Sequence, residues 1–459
     1  MSNTSSKVVK ILLIHGAGAF PRNIGDDAQA YAAADRLRRQ IPGVEVRPAR
    51  IYEEDDGALW PGVELVASPR LYVVASSWLT VKAAGILRGM GLGQLGTMLF
   101  HLSLVTRVVR LMVAGWCWRR FGVVPLVDAR GRDAVKEMGG VDAVYCSGGG
   151  NLNDIWLRSE LVPRAASYRL AHILGKPCVV SGQGVGPLKS RVGKMVLAWG
   201  LKHVGFFGCR DLEESAAHLR AIGVSEEKVA SLGDDAFDLA AVSAADADRI
   251  LRDEGVPRSG KPIVVVHVRL TNFVSDIGSK GSPFTAALCD HLIERTGCHI
   301  VFIPITNCAN RAGDRDIGDA FDVYAGMKRR ESVSFLIRRR YSPPEMKAVV
   351  AMSSALVAYS YHAWVFALTS GVPAFGLFHG EYFRGKSSGL FAWYRKLDWI
   401  WDVESSDPAA VAERVGTEMA ARDAHGALKQ TTDRLTCNVC VPVEKLAGML
   451  GISRHGGEF

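Results

Sequence analysis

The chain has 459 residues, more than one hydrophobic core normally organises, so we expect two domains. Its 48% hydrophobic residues and 48 glycines are typical of buried parallel sheets and argue against a disordered chain. The formal net charge is +8, and seven basic residues with no Asp or Glu between positions 65 and 127 contribute +7 of it. The rest of the chain is nearly neutral, which argues against a nucleic-acid-binding surface.

The nine cysteines are odd in number and follow no repeated spacing, which favours a reduced cytoplasm over a disulfide framework. Cys437 and Cys440 form a single C-x-x-C pair, without the second pair that a structural zinc site needs. The apolar run at residues 11–14 is too short for a signal peptide and leads into a glycine-rich turn. We therefore expect a cytoplasmic protein.

The chain opens with a strand, a glycine-rich turn and a helix, which is the start of a doubly wound α/β domain. Residues 8–14 are rich in β-branched side chains and predict a buried strand, and an amphipathic helix is expected over residues 28–40. Asn23 and Asp26 lie in the turn, where they either cap the helix or reach a ligand. The glycine spacing is not G-x-G-x-x-G, so it is weak evidence for a dinucleotide site.

Residues 60–127 interrupt the α/β pattern with an apolar, basic insertion that contains tryptophans. Arg107 and Arg110 break its most apolar stretch, residues 96–118, so a membrane-spanning helix is not expected. Basic residues, tryptophans and leucines without acidic residues favour helices that lie in a membrane interface. The alternative is a helical insertion packed on its own domain or on a partner subunit of a homo-oligomer.

Three consecutive predicted strands, at residues 141–146, 177–181 and 205–209, are each followed by glycines or polar residues. The carboxyl ends of parallel strands meet at one edge of a sheet, where α/β proteins bind ligands, and glycines let the backbone approach a ligand closely. We therefore expect one ligand cleft with these residues on its wall: Gly149, Gly150, Asn151, Gln183 and Gly184.

A break near residues 234–260 precedes a second α/β domain, whose first strand carries His267 and Arg269 on one face. Arg269 lies at the carboxyl end of that strand. At this position an arginine either clamps an anion or forms an internal salt bridge.

A later strand, turn and helix place His362 at the carboxyl edge of the second sheet. Residues 355–358 predict a buried strand, and an apolar helix of about nine residues follows until a Gly-x-Pro sequence ends it. His362 lies near the start of this helix, where its ring faces the cleft and an anion beside it meets backbone N–H groups. The alternative is a helix-capping or core histidine. Arg384 and Lys386 follow the next strand.

These elements predict two Rossmann-like, doubly wound α/β domains that face a cleft, as in glycosyltransferase-B folds, with the helical insertion in the first domain. The first domain is expected at residues 1–240 and the second at residues 241–425. A C-terminal tail is expected at residues 426–459.

An ordered set of motifs between about residues 10 and 386 resembles the polysaccharide pyruvyl transferase family. Each motif is common by itself, and their order makes the resemblance specific. In the first domain the matching segments are Asn23-Ile24-Gly25-Asp26, Gly148-Gly149-Gly150-Asn151, Gly182-Gln183-Gly184-Val185-Gly186-Pro187, and Cys209-Arg210-Asp211 with Ser215, Leu219 and Gly223. In the second domain they are His267 and Arg269, and the stretch from His362 to Gly371, Val372 and Pro373.

The resemblance implies transfer of the enolpyruvyl-derived group of phosphoenolpyruvate to a sugar of a polysaccharide or lipid-linked glycan precursor, usually as a ketal on two hydroxyls. It implies that Arg269 holds the phosphate or carboxylate of phosphoenolpyruvate. It also implies that His362 protonates the methylene carbon or moves protons of the attacking hydroxyl. The glycine turns would admit the glycan, and Lys386 would add positive charge near the donor. Phosphoenolpyruvate is then a co-substrate, and no metal or redox cofactor is required.

One position departs from the family pattern. The family commonly has Arg-Leu-His where this chain has Ser360, Tyr361 and His362, so the arginine expected to grip phosphoenolpyruvate is a serine. Arg384 or Lys386 would have to replace its charge. Two alternatives therefore stay open: a nucleotide-sugar-dependent glycosyltransferase on the same architecture, and a non-catalytic glycan-binding homologue. For an enzyme with a lipid-linked acceptor, docking of the insertion on the anionic inner face of the cell membrane would be an advantage.

Overall fold

The computed structural model describes residues 8–16, 23–51, 59–75, 82–83, 86–87, 89–257, 260–270, 277–306, 315–421 and 424–452. The first domain is built on an eight-stranded parallel sheet in the order β3-β2-β1-β4-β6-β7-β8, with β5 paired to β6. Its strands are β1 (Lys10–Ile14), β2 (Glu45–Arg50), β3 (Val66–Ala67), β4 (Ala143–Cys146), β5 (Gly149–Leu152), β6 (Cys178–Val185), β7 (Phe206–Cys209) and β8 (Val229–Ser231). Side chains of β1 enter hydrophobic clusters on both faces of the sheet, which explains its unbroken apolar run.

The helices of the first domain are α1 (Ile24–Gln40), α2 (Pro69–Val74), α3 (Gly93–Phe121), α4 (Ala129–Gly140), α5 (Val162–Ile173), α6 (Arg191–Leu201) and α7 (Glu214–Ala221). The predicted helical insertion is confirmed and contains α2 and α3. One side of α3 packs on α5, where the absence of a side chain at Gly115 lets Leu170 approach. By length and composition only, α3 is also able to cross a membrane.

The second domain has a six-stranded parallel sheet in the order β11-β10-β9-β12-β13-β14. Its strands are β9 (Ile263–His267), β10 (His299–Phe302), β11 (Val333–Phe335), β12 (Ala355–Ala358), β13 (Ala374–Phe378) and β14 (Ile400–Asp402). Its helices are α8 (Ala244–Asp253), α9 (Gly278–Thr296), α10 (Arg315–Gly326), α11 (Pro343–Ala351), α12 (Tyr361–Thr369), α13 (Gly380–Phe391), α14 (Pro408–Ala420) and α15 (Ala424–Asn438). Both sheets reverse their strand order next to their first strand, so the predicted pair of doubly wound domains is confirmed.

Two segments predicted as glycine turns are strands. Residues 149–152 form β5, and β6 continues to Val185 although its end was predicted at Ser181. Gly149 pairs with Gln183, and Leu152 pairs with Val185. β5 thus gives the glycine-rich end of β6 an additional pairing partner, and the register of β6 with β7 shifts near Gly182, whose φ is +57°.

Two features connect the domains. A final helix, α16 (Val441–Met449), returns to the first domain, where it contacts β6 and β7, and its Val443 and Leu446 belong to a hydrophobic cluster of that domain. The buried guanidinium of Arg36 on α1 donates to Asp235 at 2.7 Å and to Asp238 at 2.5 Å. Both carboxylates belong to the 3-10 turn Asp235–Asp238, which leads from the first domain to the second. This buried ion-pair network fixes α1 against the segment between the domains.

Candidate active site

The carboxyl ends of the two sheets meet in one cleft. The backbone N–H of Ile24 donates to the carbonyl of Ile305 at 2.8 Å, so the start of α1 is tied to the segment after β10. The carboxyl ends of β9 and β12, where the second sheet reverses its strand order, lie at the same edge. Open α/β sheets bind ligands at this type of position.

His362 is buried where the two domains touch. His362 is only 5% exposed. The N-cap residue of α12 is Ser360 and not His362. Gly25 on α1 makes room for it, because a Cβ atom on Gly25 would lie 2.6 Å from the His362 Cβ and closer still to Cγ and Nδ1. The His362 Nε2 is 3.9 Å from Asp234 Oδ2 and has no hydrogen-bond partner in the part of the chain that the structure describes. A buried nitrogen in this state is uncommon in a packed core and is available to a ligand.

The electrostatic surroundings keep His362 neutral. Burial lowers the pKa of His362 well below 6.5, and the positive charges of Lys386, Arg210 and Arg269 lower it further. Burial also raises the pKa of the nearby Asp234 carboxyl to about 6. At neutral pH the ring is therefore an uncharged imidazole, and the same surroundings make it a weaker base than a free histidine.

Arg210, which follows β7, is a site residue that sequence reasoning missed. Its guanidinium lies 4.4 Å from the centre of the Tyr361 ring. Gly150 and Gly184 leave the space for it, because Cβ atoms on them would lie 2.9 and 2.8 Å from Arg210 Nη2. The Cys209-Arg210-Asp211 motif contained the signal, but nothing in the sequence indicated that the arginine faces α12.

A cavity of about 720 Å³ opens beside this cluster, between the first domain and α13. Four of the predicted site residues line it, namely Gly150, Gly184, Arg384 and Lys386, together with Arg210 and Tyr361. The Lys386 ammonium lies 5.5 Å from the centre of the Tyr361 ring. Burial, followed by the charge of Arg210, lowers the pKa of Lys386 to about 8.

Asp26 belongs to the same charged group. Burial raises the pKa of the Asp26 carboxyl to about 6, and the charge of Lys386 opposes the rise. Asp26 thus lies on the first turn of α1 within electrostatic reach of the cations of the cavity.

Arg269 follows β9 and forms the internal salt bridge that the sequence left open. Its Nε donates to Asp316 Oδ1 at 2.7 Å, and its Nη2 donates to Asp316 Oδ2 at 2.8 Å and to the Thr306 hydroxyl. His267 also contacts Asp316 Oδ2, at 3.1 Å. Burial would raise the pKa of Asp316, but Arg269 and His267 hold it far below its usual value. The Arg269 side chain remains 24% exposed, so these partners do not enclose it completely.

Two of the remaining predicted site residues form hydrogen bonds with backbone groups near the cleft. Asn23 caps α1, its Oδ1 accepting a backbone N–H at 3.0 Å. Gln183 is fully buried and donates its Nε2 to the Gly149 carbonyl at 2.7 Å. Asn151 lies half-buried in β5, and the Ser360 side chain makes no cap hydrogen bond at α12. Asn23 and Gln183 thus hold the backbone of the cleft in place.

One group of side chains in the described part of the chain has the spacing of metal ligands. His379, Asp402 and Glu404 bring ligand atoms within 4.8 Å of one another. Glu404 already accepts from Lys280 Nζ at 2.9 Å and lies 3.4 Å from His379 Nδ1. Glu404 thus already has Lys280 as an ion-pair partner within this group.

Two doubly wound domains that face a cleft define a glycosyltransferase-B-like architecture, and solved structures agree. HepE of Anabaena, in complex with UDP and glucose, is 13% identical, with 96% of this chain and 99% of that chain covered and a TM-score of 0.52. MnaA of S. aureus, solved with UDP, is 10% identical, with 98% and 100% covered and a TM-score of 0.52. The UDP-GlcNAc 2-epimerase of Methanocaldococcus jannaschii is 10% identical, with 90% and 94% covered and a TM-score of 0.54. At this identity the likeness shows the fold alone.

The family profile described as polysaccharide pyruvyl transferase matches residues 23–378. The chain belongs to this family, which confirms the resemblance drawn from its motifs and indicates a transferase. No curated protein matches the sequence.

Proposed function

We propose that this transferase moves the enolpyruvyl-derived group of phosphoenolpyruvate onto a sugar of a polysaccharide or lipid-linked glycan precursor. The supporting observation is the cluster of three cations, Arg210, Lys386 and Arg269, whose charges act on the buried His362. Phosphoenolpyruvate carries a phosphate and a carboxylate, and guanidinium groups bind both kinds of anion in a bidentate manner. The adjacent cavity of about 720 Å³ has the volume of a small-molecule site.

Arg210 offers a replacement for the family arginine that is Ser360 in this chain. It reaches α12 from the first domain and stacks on Tyr361, the neighbour of Ser360. Lys386 contacts the same ring from the second domain. In this proposal Arg210 and Lys386 supply the charge that the family places at position 360.

The proposed reaction requires a base that removes a proton from a sugar hydroxyl, and it requires delivery of one proton to C3 of phosphoenolpyruvate. Two sugar hydroxyls add to C2 of phosphoenolpyruvate, and their bonds replace the C2–O bond to phosphate and the C2=C3 π bond. One hydroxyl proton ends on C3, which becomes a methyl group, and the other leaves with phosphate. Neutral His362 is suited to accept the first proton and pass it to C3. Bound anionic donor would offset the nearby cations and raise the pKa of His362 toward its usual value, which favours that transfer.

Incubation with phosphoenolpyruvate and candidate glycans tests the proposal. Released phosphate and the mass of the glycan product are measured together. His362→Gln should lose both signals, and Arg210→Ala should lower both when phosphoenolpyruvate is below its KM. Arg220→Ala, which removes an exposed partner of Glu226, should keep them. Product formation by Arg210→Ala and His362→Gln at the unmodified rate would refute the assigned roles.

A nucleotide-sugar reaction is the second candidate, because proteins of the same fold were solved with UDP. Thermal unfolding with added ligand separates the two candidates, since a ligand that binds the folded state raises Tm. A rise in Tm with phosphoenolpyruvate but not with UDP supports the first proposal, and the reverse supports the second.

A further inference from the structure

We propose that α3 docks the protein onto an anionic lipid bilayer, with the helix lying along the membrane surface. One side of α3 exposes large apolar side chains at every third or fourth position, and we call them the apolar stripe: Met98, Leu102, Val105, Val109, Val113 and Trp116. Met98, Leu102 and Trp116 are 66, 60 and 56% exposed. A continuous apolar patch of this length marks an interaction surface.

The charges around the apolar stripe select an anionic partner. Residues 65–127 contain no Asp or Glu. Arg110 directly follows Val109 in the stripe, and Arg120 lies one turn beyond Trp116. Arg110 also lines a groove of about 410 Å³ with Leu102 and Arg107. The one acidic residue of this groove, Asp128, lies 3.7 Å from Arg107 Nη1, so Arg110 is left as the cation beside the stripe. Apolar side chains flanked by arginine suit lipid tails below a layer of phosphate groups.

The opposite side of α3 shows why the helix lies on a bilayer instead of crossing it. Leu104, Leu111 and Ala114 are buried in the core of the first domain. The Arg107 guanidinium donates to the Tyr72 carbonyl at 2.9 Å. A crossing helix would have to leave these contacts, whereas an interfacial helix uses only the side that already faces outward.

The same charges disfavour a second copy of this chain as the occupant. A two-fold symmetric contact would bring each apolar stripe, with Arg110 and Arg120, against its own copy. Residues 65–127 supply no acidic side chain to neutralise those arginines, and the next acidic residue along the chain, Asp128, already contacts Arg107.

Docking would bring the bilayer near the segment that follows β5. Arg158 in this segment lies over the ring of Phe100 on α3, 5.9 Å from its centre. The first half of α3 is thus adjacent to the segment that connects β5 to α5. The benefit for a lipid-linked acceptor rests on the proposed function, but the docking itself does not.

Vesicle co-sedimentation of the full chain, without phosphoenolpyruvate, tests the docking. We expect binding to vesicles of phosphatidylcholine with phosphatidylglycerol and much weaker binding to phosphatidylcholine alone. Leu102→Glu with Val109→Glu should weaken partitioning by at least about tenfold, because two side chains lose their burial in lipid. The matched control is Val8→Glu with Leu397→Glu. These residues lie outside α3 and are 51 and 53% exposed, so this variant should bind the vesicles as the unmodified protein does.

A second pair of variants isolates the charge. Arg110→Gln with Arg120→Gln should weaken binding to the anionic vesicles by about fivefold per arginine and leave binding to neutral vesicles unchanged. Equal binding by the Leu102→Glu/Val109→Glu variant and its control would overturn the proposal, as would no binding to anionic vesicles. If the unmodified protein is a dimer that does not bind vesicles, and Leu102→Glu with Val109→Glu converts it to a monomer, then a second copy of the chain covers the apolar stripe. Phosphate release with a soluble acceptor should be the same in all these variants, so a failure of docking is distinguishable from a failure of the proposed reaction.

Discussion

Replacing Gly25 by alanine tests the contact between His362 and α1 directly. The added Cβ would lie 2.6 Å from the His362 Cβ, at least 0.8 Å short of an ordinary contact of 3.4 Å, and closer still to the ring. The ring is buried, so it cannot turn into bulk solvent without displacing its neighbours. Either α1 and α12 move apart or the ring leaves its position, and overpacking of this kind typically costs about 1–3 kcal/mol.

The backbone conformation at Gly25 gives no competing explanation for a loss of stability in Gly25→Ala. Gly25 is in the first turn of α1, where alanine is favoured over glycine by up to about 1 kcal/mol. We therefore expect Gly25→Ala to lower Tm and to slow pyruvyl transfer about a hundredfold, because a catalytic group displaced by about 1 Å loses that much. Gly426→Ala is the matched control, since Gly426 is in the first turn of α15 with nothing within 4 Å of an added Cβ. It should keep or slightly raise Tm.

Calorimetry measures the fall in Tm, and phosphate release measures the fall in rate. The same substitution in a variant that lacks the His362 side chain identifies the cause of both. In a His362→Gly protein the clashing side chain is absent, so Gly25→Ala should no longer lower Tm. If Gly25→Ala behaves like Gly426→Ala in both assays, the inference that His362 packs directly on Gly25 of α1 is wrong. If it destabilises both backgrounds equally, the loss arises elsewhere on α1.

Three further predictions concern charge. Arg210→Ala should raise the KM for phosphoenolpyruvate about thirtyfold or more, because charge-assisted hydrogen bonds contribute about 2–3 kcal/mol, and steady-state kinetics measure this. Asp234→Asn loses one of the two acceptor oxygens that Gln29 and Ala236 use, but relative to its stability difference at low pH it should gain up to about 3 kcal/mol over the unmodified protein at pH 7. The reason is that burial raises the pKa of Asp234 from 3.8 to about 6. The folded state binds this proton more tightly, so in urea unfolding the gain should be full above pH 6, shrink as pH falls and vanish below 3.8. Asp316→Asn should cost about 3–5 kcal/mol in calorimetry, because Arg269 loses the partner of a buried ion pair.

Each charge prediction has its own control. Arg220→Ala should leave the KM for phosphoenolpyruvate unchanged, and an equal KM for Arg210→Ala would remove Arg210 from the donor site. A gain in Asp234→Asn that does not vary with pH would show that burial of the carboxylate is not its cause. Asp398→Asn breaks an exposed pair with Arg414 and should cost less than about 1 kcal/mol, so a similar loss in Asp316→Asn would contradict the buried clamp.

The fold was predictable because parallel strands covered on both faces are unbroken apolar runs. The runs at residues 8–14 and 355–358 correspond to β1 and β12, and the helix predicted after the second run is α12. The position of His362 at the start of α12 followed from the same pattern. These features depend on neighbours within a few residues along the chain, so the sequence contains them.

Glycine was the residue type whose role was least predictable. The glycines at positions 149–150 and 182–184 predicted turns that admit a ligand, but both segments are strands. Gly150 and Gly184 instead make room for Arg210. A glycine is compatible with a turn, a ligand or an approaching side chain, and only the partner across the fold distinguishes them.

By itself, the sequence determined the two-domain α/β class, the family and the edge of the sheet on which His362 lies. The tertiary structure decided that this histidine is neutral, that Asp316 engages Arg269 and that Arg210 stacks on Tyr361. It also decided which side of α3 faces outward. These properties depend on burial and on distances between side chains far apart in the chain, and such distances are set only when the two sheets face each other.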